Sequence, residues 1–224
     1  MVAVIGDILS ATEVGALAEA CGDLTFQDGR ATAGRFARDV KDNQQATSSP
    51  QLQAILDKAA NALGANELFQ SLARPRRFVR LMVSRYDPGM SYGRHVDDAI
   101  MGNATTGGAR TDLSFTLFLT PPGDYDGGGL VMEDHAEERV FRPAPGDAVL
   151  YPTSALHRVA PVTRGERLAI VGWVQSWVRD PAQREVLHDL DVAAREAFEM
   201  GGKTAAFDRL HKARTNLLRM WADG

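Results

Sequence analysis

Apolar residues along the chain follow two different periods, and the changes of period divide it into three parts. Ser10-Ala-Thr-Glu13 matches a capping box ahead of an alanine-rich stretch, and Ser49-Pro50 supplies an N-cap and a first-turn proline before apolar residues at helical spacing. These signals predict two helices in the first part of the chain. The polar stretch 22–48 between them fits either short strands or a loop.

From residue 77 to residue 177 the pattern changes to short runs of alternating character, separated by glycine and proline. Such runs are typical of an antiparallel β-sandwich or barrel. The clearest strand predictions are 78–86, 113–119, 147–151 and 167–177. The middle of the chain is therefore predicted to be mainly β.

The last part of the chain returns to helical spacing. Asp180-Pro181 again supplies an N-cap and a first-turn proline, and Gly201-Gly202 ends the apolar pattern that follows. A final helix carries apolar residues at Phe207, Leu210, Leu217, Leu218 and Trp221. We expect this face to pack on the β core or on a second subunit, because it would otherwise be an exposed apolar patch. The predicted parts are an N-terminal helical and mixed segment (1–76), a β core (77–178) and a C-terminal helical unit (179–224).

Composition narrows the classes of partner. Apolar residues make up 44% of the chain, enough for a sizeable core, and 25 Lys and Arg against 29 Asp and Glu give a formal charge of −4. No general attraction to nucleic acid or anionic membranes is expected. A solvated face, rather than a nucleic-acid patch, is expected for the five clustered arginines Arg74, Arg76, Arg77, Arg80 and Arg85.

Location is predicted from cysteine usage and from the apolar runs. The only cysteine, Cys21, has no partner within the chain for a disulfide, which fits a reducing cytoplasm. The N-terminal residues do not match a signal peptide, and no run approaches the ~20 apolar residues of a membrane span. We expect a cytoplasmic protein with neither nucleic-acid nor membrane partners.

The clearest candidate for chemistry is the sequence His95-Val96-Asp97. A period of two places His95 and Asp97 on one face of a strand, and His157 is available as a third ligand. Two histidines and one carboxylate leave coordination positions open, the arrangement that suits non-haem Fe(II). A lone His-x-Asp is common, however, and each histidine taken alone fits a hydrogen-bonded structural role better than a ligand role.

A longer ordered set of motifs surrounds these residues. It comprises Tyr86-Asp-Pro-Gly89, Tyr92, His95-Val-Asp97, Thr111-Asp-Leu-Ser, Tyr125-Asp-Gly-Gly128, Pro145-Gly-Asp147, Tyr151-Pro152, His157 and Gly165-Glu-Arg167. The set resembles the Fe(II)/2-oxoglutarate-dependent dioxygenases and, within them, the bacterial PKHD-type hydroxylases of the prolyl-4-hydroxylase-like branch. Trp173-Val-Gln-Ser176 and Asp180-Pro-x-x-Arg184 are similar to the same branch.

The resemblance implies a role for each site residue. His95, Asp97 and His157 would be the catalytic iron ligands, Arg167 would pair with the distal carboxylate of 2-oxoglutarate, and Tyr86 would line the cosubstrate pocket. The implied fold is a double-stranded β-helix, or jelly roll, with helices at both ends. The implied enzyme is an oxidoreductase that hydroxylates a small molecule or peptide with O2 and 2-oxoglutarate, releasing succinate and CO2. Ascorbate (vitamin C) as an auxiliary reductant is implied by the family alone.

Two other functions remain open from the residues themselves. The first is a cupin-like metalloenzyme without redox chemistry, acting as a hydrolase or isomerase. The second is a binding module with a structural metal and the C-terminal helices as a dimer surface. Arg167 separates the first from a dioxygenase, since a non-redox site needs no carboxylate anchor. Three ligands with open positions argue against the second, because structural metal sites tend to be closed.

Strand parity gives further expectations. A hairpin loop at Thr163-Arg164-Gly165 would place His157 opposite Val171 and turn His157 and Arg167 to the same face. Asp98 should point away from Asp97. His135 should lie at a solvated hairpin tip, and the glycine-rich stretch 98–110 is a candidate lid over the metal.

Overall fold

The computed structural model describes residues 1–102, 107–133 and 137–223. Within these ranges the helices are α1 (Ala11–Gly22), α2 (Pro50–Ala65), α3 (Glu67–Ala73), α4 (Pro181–Gly201) and α5 (Ala205–Trp221). The strands are β1 (Ala3–Ile5), β2 (Phe26–Asp28), β3 (Lys41–Asp42), β4 (Gln44–Ala46), β5 (Pro75–Tyr86), β6 (Ser91–His95), β7 (Ile100–Met101), β8 (Ala109–Arg110), β9 (Leu113–Phe118), β10 (Asp126–Gly127), β11 (Leu130–Glu133), β12 (Glu138–Phe141), β13 (Ala148–Pro152), β14 (His157–Val159), β15 (Val162–Arg164) and β16 (Arg167–Ser176). Gly29–Thr32 and Ala37–Val40 are short 3-10 helical turns.

The helices begin where their capping residues predict. Ser10 and Glu13 form a reciprocal capping box at the start of α1, and the Ser49 hydroxyl accepts the Leu52 backbone N–H at the start of α2. The Asp180 carboxylate accepts two N–H groups in the first turn of α4. Each cap satisfies backbone donors that have no partner inside the helix, which is why the start is visible in the local sequence.

Two antiparallel sheets form the centre of the molecule. The larger has the strand order β1-β13-β9-β16-β5-β4-β2, and the smaller has the order β12-β11-β14-β6-β3. The pairs β10-β15 and β7-β8 stand outside these sheets. The polar stretch 22–48 thus contains three short strands, two short 3-10 turns and connecting loops, and the N-terminal segment completes edges of both sheets.

Both faces of the larger sheet are covered, which makes three layers. All six residues of β9 are buried. Leu113 and Leu117 belong to the apolar cluster formed with α1, α2 and α3, whereas Phe118 belongs to the cluster between the two sheets. The continuous burial of β9 follows from this double covering. The fold is the jelly-roll type that the resemblance implies.

The C-terminal helices pack beside this sandwich. α4 contacts α3, and α5 contacts α4. The residues Leu210, Leu217, Leu218 and Trp221 are only partly buried, and no residue of α5 is fully buried. The junction between α3 and α4 is polar, because Asp191 pairs with Arg74 and accepts the Ser71 hydroxyl at 2.9 Å. The expectation of a solvated Arg74 is wrong, since this side chain is 7% exposed.

A search of the described helices for one with the length and apolar character to span a bilayer finds none.

Candidate active site

A cavity of about 590 Å³ lies between the two sheets. Its walls come from the inner faces of both sheets and from the β3–β4 edge, and its mouth includes Gly34, Asp98, Ile100 and Met101. The cavity is lined by all five site residues that were predicted from the sequence: His95, Asp97, His157, Arg167 and Tyr86.

The fold brings His95, Asp97 and His157 together from separate segments. His95 ends β6 and lies directly opposite His157, which begins β14, and Asp97 follows two residues after His95. The Nε2 atoms of His95 and His157 are 3.7 and 3.8 Å from the Asp97 carboxylate oxygens. One potential ligand atom from each residue lies within 4.8 Å of the other two. Within the described residues, this is the one cluster of at least three such side chains close enough to share a metal ion.

Hydrogen bonds fix the orientation of each of these side chains. The Nδ1 of His95 is 2.8 Å from the Gly93 carbonyl oxygen, and the Nδ1 of His157 is 3.0 Å from the Ala155 carbonyl oxygen. A carbonyl can only accept, so Nδ1 carries the proton in each ring and Nε2 keeps its lone pair. The Ser114 hydroxyl donates to Asp97 at 2.7 Å.

Burial adjusts the charge of this cluster. Desolvation, and then the neighbouring His157, hold the pKa of His95 below its ordinary value of 6.5. His95 is therefore neutral at pH 7, the form in which an imidazole binds a metal. The Tyr92 ring stacks on the His95 ring with centroids 3.6 Å apart, which further limits the motion of that imidazole.

Arg167 is a buried cation without a carboxylate partner among the described residues. Its side chain is 1% exposed, and its Nε and Nη2 atoms have no hydrogen-bond partner in the described structure. The guanidinium lies 5.2 Å from the Tyr86 ring centroid and 5.0 Å from that of Phe118. Burial raises the pKa of Tyr86 to about 12 despite the nearby Arg167, so its hydroxyl is protonated and available as a donor.

The hairpin expected to link His157 and Arg167 is wrong, although both residues line the same cavity. Val162–Arg164 is the separate strand β15, which pairs with β10. His157 belongs to the smaller sheet and Arg167 to the larger, where it lies opposite Tyr86. Only the left-handed backbone of Gly165, at φ +72°, matches the expected turn. The two residues share a cavity because the sheets face each other.

The expectation that Asp98 is separate from Asp97 agrees with the cluster, although β6 ends at His95 and strand parity does not extend to residue 98. Asp98 lines the mouth of the cavity, where its carboxylate lies close to Gly34, and it is not part of the ligand cluster. His135 lies outside the described residues. Of the stretch 98–110, the paired strands β7 and β8 flank the mouth, and residues 103–106 also lie outside the described residues.

The N-terminal segment adds three buried polar residues to the cavity wall that were missed from the sequence: Lys41, Asn43 and Gln45. Burial, and then the positive charge of Arg80, lower the pKa of Lys41 to about 8. The segment 41–45 is polar at all five positions, so the sequence shows no alternation there. It carried no apolar residue to mark which face of the strands was inside.

Comparison with family models finds two matches. Residues 81–175 match the 2OG-Fe(II) oxygenase superfamily, and residues 181–223 match the PKHD-type hydroxylase C-terminal domain. Among curated proteins, a PKHD-type hydroxylase of Synechococcus elongatus is 48% identical over 100% of both chains. Another, from Maricaulis maris, is 49% identical over 94% of each chain.

Solved structures agree in fold. A Pseudomonas putida prolyl-4-hydroxylase is 25% identical, with a TM-score of 0.53 over 78% of this chain and 92% of that one. A viral collagen prolyl hydroxylase from Paramecium Bursaria Chlorella virus-1 is 18% identical, with a TM-score of 0.52 over 78% of this chain and 96% of that one. This second likeness shows the fold alone.

Proposed function

Because the chain belongs to the PKHD-type hydroxylases of the 2OG-Fe(II) oxygenase superfamily, we propose that His95, Asp97 and His157 hold its catalytic iron. The chain is a 2-oxoglutarate-dependent dioxygenase that uses Fe(II) and O2 on a small-molecule or peptide substrate. When bound, Fe(II) and 2-oxoglutarate would activate O2, with one oxygen atom going to succinate as CO2 leaves and the other to the hydroxylated substrate. The observation that carries the assignment is the convergence of two imidazole Nε2 atoms and one carboxylate in a cavity.

The donor set fits Fe(II). Two imidazoles and one carboxylate are the donor set typical of non-haem iron oxygenases, and three protein ligands would leave positions for the cosubstrate and O2. The Gly93 and Ala155 carbonyls hold the two rings, and Ser114 holds the Asp97 carboxylate. Such outer contacts orient ligands and strengthen metal binding. The chain thus supplies three fixed ligands.

Arg167 and Tyr86 fit the binding of 2-oxoglutarate. A buried guanidinium with two unpartnered nitrogen atoms is unfavourable unless an anion joins it. We propose that Arg167 pairs with the distal carboxylate of 2-oxoglutarate through charge-assisted hydrogen bonds. The protonated Tyr86 hydroxyl, on the neighbouring strand, supplies a further donor to the cosubstrate.

The test reconstitutes the protein with Fe(II) under anaerobic conditions and then measures succinate after oxygen is admitted. We expect oxygen-dependent succinate formation from 2-oxoglutarate, slow without substrate and blocked by Zn(II), which takes the same ligands but is redox-inert. His157→Ala should lose metal binding measured by anaerobic equilibrium dialysis. Turnover that is equally fast with zinc, or an unchanged metal affinity of His157→Ala, would reject the assignment.

We further propose the organisation of the chain into a 1–76 segment, a 77–178 oxygenase core and a 179–224 unit. The separate matches at 81–175 and 181–223 support the second boundary. Expression of residues 1–179 tests this boundary. Loss of solubility or a lower Tm is expected, since α4 contacts α3.

A dependence on ascorbate and the formation of a homodimer are two further proposals. Succinate yield with and without added ascorbate tests the first, and sedimentation tests the second.

We also propose a cytoplasmic location and no nucleic-acid partner. The single cysteine, Cys21, is a buried free thiol, which fits a reducing compartment. The net negative charge supports the second proposal. Cell fractionation tests the location. Passage over a nucleic-acid column at low salt tests the absence of a nucleic-acid partner.

A further inference from the structure

Three polar side chains from the N-terminal segment line the cavity without a role in holding iron or 2-oxoglutarate. Lys41, Asn43 and Gln45, here called the 41–45 strip, are 4%, 3% and 2% exposed. β3 pairs with β6 of the smaller sheet, and β4 pairs with β5 of the larger sheet. The strip therefore crosses from one sheet to the other and turns alternate polar side chains inward.

Lys41 places an ammonium group in the cavity wall without a counterion. Its Nζ donates to the Thr32 hydroxyl at 3.2 Å and lies 5.0 Å from the centroid of the Tyr92 ring. No described carboxylate lies within salt-bridge distance of this Nζ. A buried cation in this state is unfavourable, and a ligand anion would relieve it.

Asn43 adds an unused donor and an unused acceptor beside that cation. Neither Nδ2 nor Oδ1 has a hydrogen-bond partner in the described structure, although the amide approaches the Tyr86 phenol. The amide is packed tightly against Gly29, where a Cβ atom would lie 1.8 Å from Oδ1. Asn43 is thus a buried amide held between Gly29 and Tyr86, and its Nδ2 group is the donor that a molecule in the cavity would use.

Charges of both signs lie near the strip: Asp28 acts electrostatically on Lys41, but its carboxylate is paired with Arg30 at 3.8 Å. Arg80 on β5 reaches the same cavity and forms no salt bridge with a described residue. Asp98 lines the mouth as well, but its carboxylate lies near Gly34 and makes no salt bridge with Lys41 or Arg80. The Asp97 carboxylate belongs to the proposed iron site, where a metal ion would balance it.

The 41–45 strip and Arg167, the proposed 2-oxoglutarate anchor, have different neighbours in the cavity. Lys41 lies over the Tyr92 ring that stacks on His95, so a group bound to Lys41 is one ring away from a proposed iron ligand. The Arg167 guanidinium instead lies against Tyr86 and Phe118.

Building on the proposed function, we propose that the 41–45 strip recognises the substrate to be hydroxylated, and that this substrate carries a carboxylate bound by Lys41 next to an amide bound by Asn43. An N-acylated amino acid and a peptide with a free C-terminus both offer these two groups.

The experiment measures binding rather than turnover. The full-length protein is loaded with Fe(II) and saturating 2-oxoglutarate without oxygen, and probe affinities are measured by ligand-observed NMR. The probes are the N-acetyl derivatives of glycine, leucine and proline and a tetrapeptide with a free C-terminus, each paired with its uncharged primary amide. At least one free acid should bind about tenfold tighter than its amide, the size of one charge-assisted hydrogen bond. Preference confined to the tetrapeptide indicates a peptide C-terminus, and preference among the acetylated amino acids indicates a small molecule.

Variants identify the residue responsible. Lys41→Met should abolish the preference for the acid and leave the affinity for 2-oxoglutarate unchanged, whereas Lys58→Met, at an exposed lysine of α2, should change neither. Asn43→Asp keeps the shape of the side chain and should weaken binding of the acid more than that of the amide.

Three results would overturn the proposal. The first is equal affinity of every acid and its amide in the wild-type protein, and the second is a preference that survives both Lys41→Met and Asn43→Asp. The third is a loss of 2-oxoglutarate affinity in Lys41→Met as large as that in Arg167→Met, which would assign Lys41 to the cosubstrate. Failure of the proposed function looks different, because 2-oxoglutarate would then not bind to the wild-type protein at all.

Discussion

The β-sandwich and the C-terminal helix pair of this protein are held by different interactions. Every residue of β9 is buried between two layers, whereas α5 has no fully buried residue along its length. α4 is joined to α3 by the charged network around Asp191, which pairs with Arg74 and Arg214. Inside the sandwich, by contrast, polar groups such as the Arg167 guanidinium are left without partners. The two arginines at the junction face a carboxylate, whereas the buried Arg167 guanidinium faces none among the described residues, which marks a place for an anionic ligand. We therefore expect changes in the sandwich cavity to alter activity and changes in the helix pair to alter stability alone.

The largest effect is expected from removing the carboxylate of the metal cluster. Asp97→Ala should reduce succinate formation to the level without enzyme, because only two of the three proposed metal ligands remain. The Ser114 hydroxyl also loses its acceptor. Succinate is measured after oxygen is added to the Fe(II)-reconstituted protein. The matched control is Asp98→Ala, which removes a carboxylate at the mouth and should leave metal binding close to wild type. Equal losses in the two variants would show that the cluster is assigned wrongly.

The next effect separates stability from cosubstrate binding at a single position. Arg167→Met should weaken 2-oxoglutarate binding by about 100-fold, since a charge-assisted pair is lost. In the absence of 2-oxoglutarate the same variant should melt at or above the wild-type temperature, because a buried charge with unpartnered atoms is replaced by an apolar side chain. Calorimetric titration and thermal unfolding with and without 2-oxoglutarate measure both. Arg167→Lys should recover part of the affinity, since the charge returns without the planar fork. A lower Tm of Arg167→Met without ligand would mean that the guanidinium is a structural element of the sandwich.

Local chemistry explains what could be predicted from the sequence. The caps at Ser10, Ser49 and Asp180 each act within one helical turn, so neighbouring residues suffice to reveal them. The alternation of β5 and β16 is likewise local and located these strands, whereas the roles of Tyr86 and Arg167 came from the resemblance. His95-Val-Asp97 was noticed by spacing, although its meaning depended on the ordered motifs around it.

What could not be predicted depends on contacts between distant segments. The pairing of Arg167 with Tyr86, rather than with the segment after His157, is set by the packing of two sheets and has no signature in the loop 163–165. The burial of Arg74 depends on Asp191, which lies 117 residues away. The strands β3 and β4 carry buried polar residues, and a hydrophobic pattern cannot locate an inside face that is polar.

A smaller effect is expected at the junction between the helix pair and the rest of the molecule. Asp191→Asn keeps hydrogen-bonding groups but removes the charge opposite Arg74 and Arg214, so it should lower the free energy of unfolding by about 1–2 kcal/mol. The affinity for 2-oxoglutarate should not change. Thermal unfolding gives the first quantity and calorimetric titration the second, and a change in affinity would show that the junction is coupled to the cavity.

The charge of Asp191 also makes its contribution to stability depend on pH. Burial alone would raise the pKa of Asp191, but the Ser71 hydroxyl and the two arginines together hold it below its ordinary value of 3.8. The folded state therefore binds this proton less readily than the unfolded state, and the stabilisation is complete above that value and lost as the pH falls below it. The difference in Tm between wild type and Asp191→Asn should be constant near neutral pH and shrink below about pH 4. A difference that grows on acidification contradicts the assignment of the charged network.

The smallest effect concerns a single cap in the helix pair. The Thr204 hydroxyl accepts the Phe207 backbone N–H at 3.3 Å and is the only side-chain cap described at the start of α5. Thr204→Ala should reduce the free energy of unfolding by about 0.5–1 kcal/mol, the usual contribution of an N-cap, with a fall in Tm of roughly 1–4 °C for a chain of this size. Thr215→Ala is a control on the same helix, because the Thr215 hydroxyl donates back to the His211 carbonyl within the helix, and its loss should leave Tm unchanged or slightly raised. Both variants should retain wild-type succinate formation, since α5 supplies no residue to the cavity lining. If Thr204→Ala instead lowered activity at a temperature well below its Tm, the helix pair would have a part in catalysis, and the separation between an active sandwich and a stabilising helix pair would fail.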